Sequence, residues 1–262
     1  MLTSTKNTLV KAIRKLHQGK YRRAQQQFVL EGTHLIEAAL QAGYPIEIGC
    51  YTPTWAERYP DLAQALGLAA ARTEVVGDDV LRALATTVHP DGVVAGAAQG
   101  RGPTPTLHTL GLAVETLQDP GNLGTIIRTG LAAGVDGLWL SQDSVSPDHP
   151  KVLRASAGQW FRFPVAVCDD LAQTVDQWQR QGLQLVATCA DGDVDYWSVD
   201  FLRPTVILLG NEGAGLSRPL VDKAALKVQI PMESSVESLN VGVTAALLAY
   251  EARRQRLVHD KS

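Results

Sequence analysis

Cysteine is scarce in this chain of 262 residues: Cys50, Cys168 and Cys189 are odd in number and widely spaced, and none belongs to a CxxC pair. That excludes a disulfide framework and fits reduced thiols in a cytoplasmic protein. The six histidines show no metal-ligand spacing, so no metal is expected. No apolar run approaches the roughly 20 residues that span a bilayer, and no membrane role is expected. The opening Met1-Leu2-Thr3-Ser4-Thr5-Lys6 lacks the apolar stretch of a secretory leader. Neither G-x-G-x-x-G nor G-x-x-x-x-G-K-[ST] occurs, which argues against a nicotinamide-dependent dehydrogenase and a P-loop enzyme. There is no internal repeat and no low-complexity tract.

Acidic side chains are missing from residues 1–30, which hold seven basic ones: Lys6, Lys11, Arg14, Lys15, Lys20, Arg22 and Arg23. The whole chain nevertheless carries 24 Lys and Arg against 27 Asp and Glu, for a net charge of −3. A basic arm on an acidic body suits an anionic partner, or simply a solvated helix face. With 45% hydrophobic and 19% charged residues, the composition is that of a folded protein with one large or two ordinary domains.

Periodicity predicts a helix over 7–16, with Leu9, Ile13 and Leu16 on one face and Gly19 as its stop. Phe28–Leu30 reads as a strand, 34–41 as a helix closed by Gly43, and Ile46–Tyr51 as a strand. Helices are predicted over 55–66 and 81–87, and a strand over 92–96. Gly100-Arg101-Gly102-Pro103-Thr104-Pro105-Thr106 then breaks the pattern and reads as a linker. The expected domains are therefore residues 1–100 and 108–262, joined by 101–107. In the second half, strands at 112–117, 138–140, 165–167, 185–187, 206–209 and 226–230 alternate with helices. These include 125–133, 151–158, 171–181 and a final helix that Ser238 is suited to cap. The fold class is α/β, with a mostly parallel sheet covered on both faces.

Two strands empty into small polar loops, Gly210-Asn211-Glu212-Gly213-Ala214-Gly215 and Pro231 to Asn240. This is how an α/β protein builds a ligand crevice at the carboxyl ends of its strands. The turn Asp119-Pro120-Gly121-Asn122-Leu123-Gly124 either lets a ligand approach a helix N-terminus or is an ordinary strand-to-helix turn. Glu212 can accept from ligand donors or cap backbone groups. Val243, Leu247, Tyr250 and Leu257 form a helical stripe for the core or for a partner subunit.

Together, Asp119–Gly124 with Arg128-Thr129, Leu208–Ser217, and Ile230-Pro231-Met232 with Ser238-Leu239-Asn240-Val241 resemble the three ordered motifs of the SpoU (TrmH-type) RNA ribose 2′-O-methyltransferases of the SPOUT superfamily. Lys151–Gly158 matches a further family segment. The resemblance covers about 108–256, and more loosely residues 11–32 resemble the ribosomal-protein-like RNA-binding domain of many members. It implies a trefoil-knotted, parallel-sheet methyltransferase domain, preceded by a smaller α/β RNA-binding domain. S-adenosylmethionine would be held by Gly210, Ile230 and Leu239, with Thr188, Leu209, Gly213 and Met232 as neighbours. The catalytic set would be Asn122, Arg128, Glu212, Ser238 and Asn240. Arg14, Lys15, Lys20, Arg22, Arg23 and Arg154 would contact RNA, and members are generally homodimers through this domain. Glu233-Ser234-Ser235 lacks a glycine common in that loop, and Gly242 stands where serine is frequent.

The activity so implied is methyl transfer to a ribose 2′-hydroxyl, with large-subunit ribosomal RNA preferred over transfer RNA as substrate. The family's arginine is often drawn as the base, but an arginine does not readily give up its proton. Arg128 is therefore expected to stabilise the alkoxide or clamp a phosphate. The rival reading is a non-catalytic RNA-binding or ribosome-assembly factor with the same fold.

Overall fold

Short apolar runs alternate with amphipathic stretches along the chain. The structure, a computed structural model describing residues Met1–His259, turns these into strands and helices. The chain begins with α1 (Thr8–Lys15), α2 (Gly19–Gln25), β1 (Gln27–Glu31), α3 (Thr33–Gln41) and β2 (Ile46–Tyr51). There follow α4 (Pro53–Arg58), α5 (Pro60–Ala69), β3 (Thr73–Val75), α6 (Asp78–Leu84) and β4 (Val93–Ala98). Next come β5 (Leu110–Val114), α7 (Pro120–Ala133), β6 (Gly137–Ser141), α8 (Pro150–Ala155), β7 (Val165–Cys168) and α9 (Leu171–Arg180). The last elements are β8 (Gln184–Thr188), β9 (Val194–Asp195), β10 (Thr205–Leu209), α10 (Arg218–Lys223), β11 (Leu226–Gln229) and α11 (Val241–His259). No helix among the described residues is long and apolar enough to cross a membrane.

Several boundaries differ from the sequence reading for local reasons. Gly19 does not stop a helix but opens α2. The stretch predicted as one helix over 55–66 is two, because Pro60 disfavours helical backbone at Tyr59, whose φ is −130° and ψ 61°. The 81–87 helix is displaced to α6, and Thr86 and Thr87 beyond it bind Glu31 instead.

The chain divides into two compact units, Met1–Gly102 with Ser146–Arg162, and Pro103–Val145 with the chain from Phe163 on. Ser146–Arg162, expected in the second domain, thus belongs to the first. Two side-chain groups explain this. Trp160 and Phe161 join Tyr44 in an aromatic cluster with ring centroids 5.2–5.7 Å apart, and Trp160 also lies 5.2 Å from Phe28. Asp148 accepts from Arg22 Nε at 2.9 Å.

That ion pair overturns the expectation that Arg22 contacts RNA. Its side chain is only 3% exposed, and its Nη1 donates to the carbonyls of Leu16 and His17, each at 3.2 Å. Arg22 closes the C-terminal end of α1, where cations and donors are favoured.

The first unit's sheet has the order β1-β4-β2-β3, with β4 antiparallel to both neighbours. Val10, Ile13 and Leu16 bury one face of the first helical segment against Val76, Val80 and Leu84. The second unit's sheet has the order β7-β6-β5-β10-β8-β11-β9, and every pairing is parallel. Its central strand, Thr-Val-Ile-Leu-Leu, is buried throughout, as expected of a parallel strand covered on both faces. Pro105 and Leu107, predicted as linker, pack on this unit at Gly137 and Gly111. Helix α11 packs against α7, burying Val241, Ala245, Leu248, Ala249 and Ala252. Val243, Tyr250 and Leu257 are instead 46%, 49% and 47% exposed, so that stripe is not core.

Candidate active site

The buried strand β10 ends at Gly210, and there the chain doubles back. A Cβ on Gly210 would lie 2.1 Å from the backbone of Gly215 and Leu216, so no other residue fits. Asn211 and Gly215 exchange backbone hydrogen bonds of 3.0 and 2.9 Å. The Asn211 side chain organises the turn: its Oδ1 accepts from the Gly213 and Ala214 amides, and its Nδ2 donates to the Thr116 carbonyl at 2.8 Å. Sequence reasoning passed over Asn211, although an Asn set between turn glycines is a recognised signal for such a turn.

Helix α7 starts at Pro120, earlier than the sequence suggests, because Asp119 caps it. Asp119 Oδ1 accepts from the amides of Gly121 and Asn122 at 2.6 and 3.0 Å. Helix α11 is capped not by Ser238 but by Asn240, whose Oδ1 accepts from Gly242 and Val243 at 2.9 and 3.3 Å. Only the residue directly before Val241 has a side-chain oxygen within reach of those amides.

Capping fixes the rest of the site. With its oxygen engaged, Asn240 turns its Nδ2 to Asn122 Oδ1 at 2.7 Å, and Asn122 Nδ2 then donates to Glu212 Oε1 at 3.0 Å. The same carboxylate accepts from the Asp119 amide at 3.3 Å and, more loosely, from the Gln118 amide at 3.5 Å. Partial burial pushes Glu212 upward, but the bonds from Asn122 and the backbone outweigh it and hold the carboxyl below its usual range. Glu212 is therefore an ionised acceptor and an orienting group at neutral pH.

Beside this relay, at the carboxyl ends of β8, β10 and β11, lies a cleft of about 600 Å³. A small-molecule site has this size. Its walls include Thr188, Leu209, Gly210, Gly213, Ile230, Met232 and Leu239, which are all the residues singled out as cofactor contacts. Glu212 and Ser238 line it too, and the Ser238 hydroxyl has no hydrogen-bond partner among the described residues. Asn122 and Asn240 reach the cleft only through Glu212. Arg128 is not brought to the cleft wall: it is exposed on α7, with no ion pair or hydrogen bond to its side chain among the described residues.

The sequence reading also missed Cys189, Asp191, Arg218 and Glu237 in the wall. For Asp191 the signal was its place just past a strand's carboxyl end. Burial pushes the Cys189 thiol up, so no reactive thiolate forms there. No cluster of His, Cys, Asp and Glu among the described residues could hold a metal.

In the first unit Arg14, Lys15, Lys20 and Arg23 are exposed. The ammonium groups of Lys15 and Lys20 lie 5.5 and 4.8 Å from the centre of the Tyr21 ring. Arg154 is partly buried, and its Nη1 lies 3.4 Å from Glu31 Oε2.

Comparison with known proteins agrees with this geometry. Residues 109–250 match the SpoU rRNA methylase family, and residues 7–95 match the MRM3-like substrate binding domain. An uncharacterized tRNA/rRNA methyltransferase of Synechocystis is 46% identical, over 97% of this chain and 94% of its own. The 23S rRNA (guanosine(2553)-2′-O)-methyltransferase RlmP of Bacillus subtilis is 33% identical, over 96% and 98%. An AdoMet-bound rRNA methyltransferase from Sinorhizobium meliloti superposes with a TM-score of 0.86 at 33% identity, covering 97% of each chain. The chain belongs to the SpoU rRNA methylase family.

Proposed function

We propose that this enzyme transfers a methyl group from S-adenosylmethionine to a ribose 2′-hydroxyl of large-subunit ribosomal RNA. The observation that carries the reading is the cleft at the strand ends, bordered by the Asn240–Asn122–Glu212 relay. The cleft fits that cofactor. Its volume suits a molecule of that size, bare backbone at Gly210 forms part of its wall, and Asp191, Glu237 and Arg218 offer partners to charged groups of either sign. Thr188, Leu209, Gly210, Gly213, Ile230, Met232 and Leu239 would hold it. Bound there, the cofactor supplies a methyl on a sulfonium that needs no further activation.

What remains for the chain is to orient the 2′-oxygen and to manage one proton. The relay ties the first turn of α7 to the first turn of α11, leaving Arg128 one to two turns further along α7 with no ion pair or hydrogen bond among the described residues. A free guanidinium suits a developing alkoxide or the adjacent phosphate, for which its planar fork is shaped. Ser238, exposed and without a hydrogen-bond partner among the described residues, would orient the hydroxyl.

The first unit would dock the RNA, with Arg14, Lys15, Lys20 and Arg23 on phosphates. The reading includes a trefoil threading of the segment from Thr205, with β10 seated between β5 and β8. It also includes a homodimer, for which the exposed Val243, Tyr250 and Leu257, seven residues apart, are the supporting surface. A cytoplasmic site of action completes it.

The test is transfer of labelled methyl from S-adenosylmethionine to unmodified ribosomal and transfer RNA, with Arg128→Ala as the blank. Alkali-resistant label in ribosomal RNA alone is the expected result. Label only in transfer RNA, or no cofactor binding, would sink the reading. Near-normal turnover by Arg128→Lys would remove the need for a planar fork.

A further inference from the structure

A cavity of about 830 Å³ in the first unit has no part in the chemistry above. It opens along α3, beside the segment Arg154–Arg162. Two guanidiniums line it. Arg154 is pinned by one nitrogen, Nη1, which lies 3.4 Å from Glu31 Oε2 and donates to Thr86 Oγ1 at 2.6 Å. Its Nε and Nη2 have no partner among the described residues, so the group is held in place with donors to spare. Arg162 is exposed, and its side chain makes no ion pair or hydrogen bond among the described residues.

Small and polar residues line the rest of the cavity. Gly158, at φ +79°, brings the chain so close to α3 that a Cβ there would lie 2.7 Å from that of Ala38. Its neighbour Ala157 holds φ 48°, a left-handed backbone that alanine rarely adopts. Ala38, Ala42 and Ala157 are small residues of the lining, and beside them stand Glu37 and Gln41, which are hydrogen-bonded to each other at 3.4 Å. The cavity's other carboxylates are already engaged. Glu31 is enclosed by Thr86, Thr87 and Arg154, and Asp91 accepts from the Thr33 amide at 2.7 Å.

Two guanidiniums, small lining residues that leave room beside them, and the polar side chains of Glu37 and Gln41 match the three parts of a nucleotide: phosphate, ring and base edge. A bare phosphate would leave most of the cavity empty, and an apolar ligand would leave the arginines unpaired. We propose that this cavity receives one unstacked nucleotide of the RNA substrate, outside the methylation cleft; the choice of RNA as its source rests on the methyltransferase reading. Arg154 and Arg162 clamp its phosphate, and Glu37 with Gln41 meets the base.

The test is photo-crosslinking of the full chain to unmodified ribosomal RNA carrying 4-thiouridine, mapped by mass spectrometry. The companion variants are Arg162→Glu and Ala42→Trp, the latter filling the cavity from an exposed lining position. Crosslinks are expected within residues 32–42 or 157–162. Arg162→Glu is expected to raise KM for RNA about fivefold or more and to lower the salt slope of binding by about one, with cofactor affinity held. Crosslinks confined to other segments, or KM unchanged in both variants, would overturn the proposal. Equal competition by 5′-AMP would reassign the cavity to free nucleotides and overturn it too. Because crosslinking reads contact and not turnover, RNA bound here without methylation would defeat the proposed reaction and leave this site standing.

Discussion

The two units use ionised side chains in opposite ways. In the first, Arg22 and Glu31 are 2% and 6% exposed, and their partners Asp148, Thr86, Thr87 and Arg154 come from distant parts of the chain. In the second, Glu212, Ser238 and Arg128 stand at the surface, and the relay that orients Glu212 runs through two amides. Both carboxylates, Glu31 and Glu212, are pushed up by burial and pulled further down by their donors. The difference lies in what a lost bond leaves behind. A buried charge without its partner strains the fold, whereas an exposed one is rehydrated and only its aim is lost.

Breaking the first kind should show up as stability. Arg22→Ala leaves Asp148 buried and uncompensated, and urea unfolding should register a loss of about 3–5 kcal/mol. Breaking the second kind should show up as turnover: Asn122→Ala cuts the relay, and kcat should fall about 100-fold with little change in melting temperature. A melting temperature depressed as far as in Arg22→Ala would erase the distinction.

Acid titration sharpens the contrast. Glu31 is held below its ordinary value in the fold, so its contribution is present above that value and lost as pH falls through the folded one. The urea midpoint should therefore drop in that acidic window, and Glu31→Gln, less stable by about 1–3 kcal/mol at neutral pH, should show a smaller drop. The smallest effect belongs to the exposed arm. Lys15→Ala should leave stability unchanged and reduce the salt slope of RNA binding by about one.

Much of this was legible beforehand. Val206–Leu209 reads as a strand because a buried parallel strand is a continuous apolar run, whereas 226–230, also read as a strand, alternates apolar and polar residues and is only partly buried. The loops after them read as a crevice because both are small and polar and follow the carboxyl ends of strands. The seven cofactor candidates share one cleft because β10, β8 and β11 are adjacent and parallel, so their carboxyl ends open at one edge of the sheet. What could not be read depends on partners remote in sequence. Nothing near Arg22 announces that Asp148 will claim it, and the basic run around it looked uniformly solvated. The Ser238 cap failed for a subtler reason: Ser238 and Asn240 are both good caps, and only the helix start, fixed by packing of Val241 and Ala245, decides between them. Strands β3 and β9, three and two residues long, are too short to carry any period.

The membership of Ser146–Arg162 in the first unit has a consequence for how the protein is made. Chain leaves the ribosome from its N-terminus at about 5–20 residues per second. When β4 has emerged, the first unit has all four of its strands, yet it lacks Asp148 for Arg22 and the Trp160 and Phe161 rings for Phe28 and Tyr44. Those arrive only after β5, α7 and β6 of the second unit have been synthesised. The two units are therefore interleaved in time as well as in sequence. The first waits, with a cation and an open aromatic cluster exposed, for a segment delivered in the middle of the second.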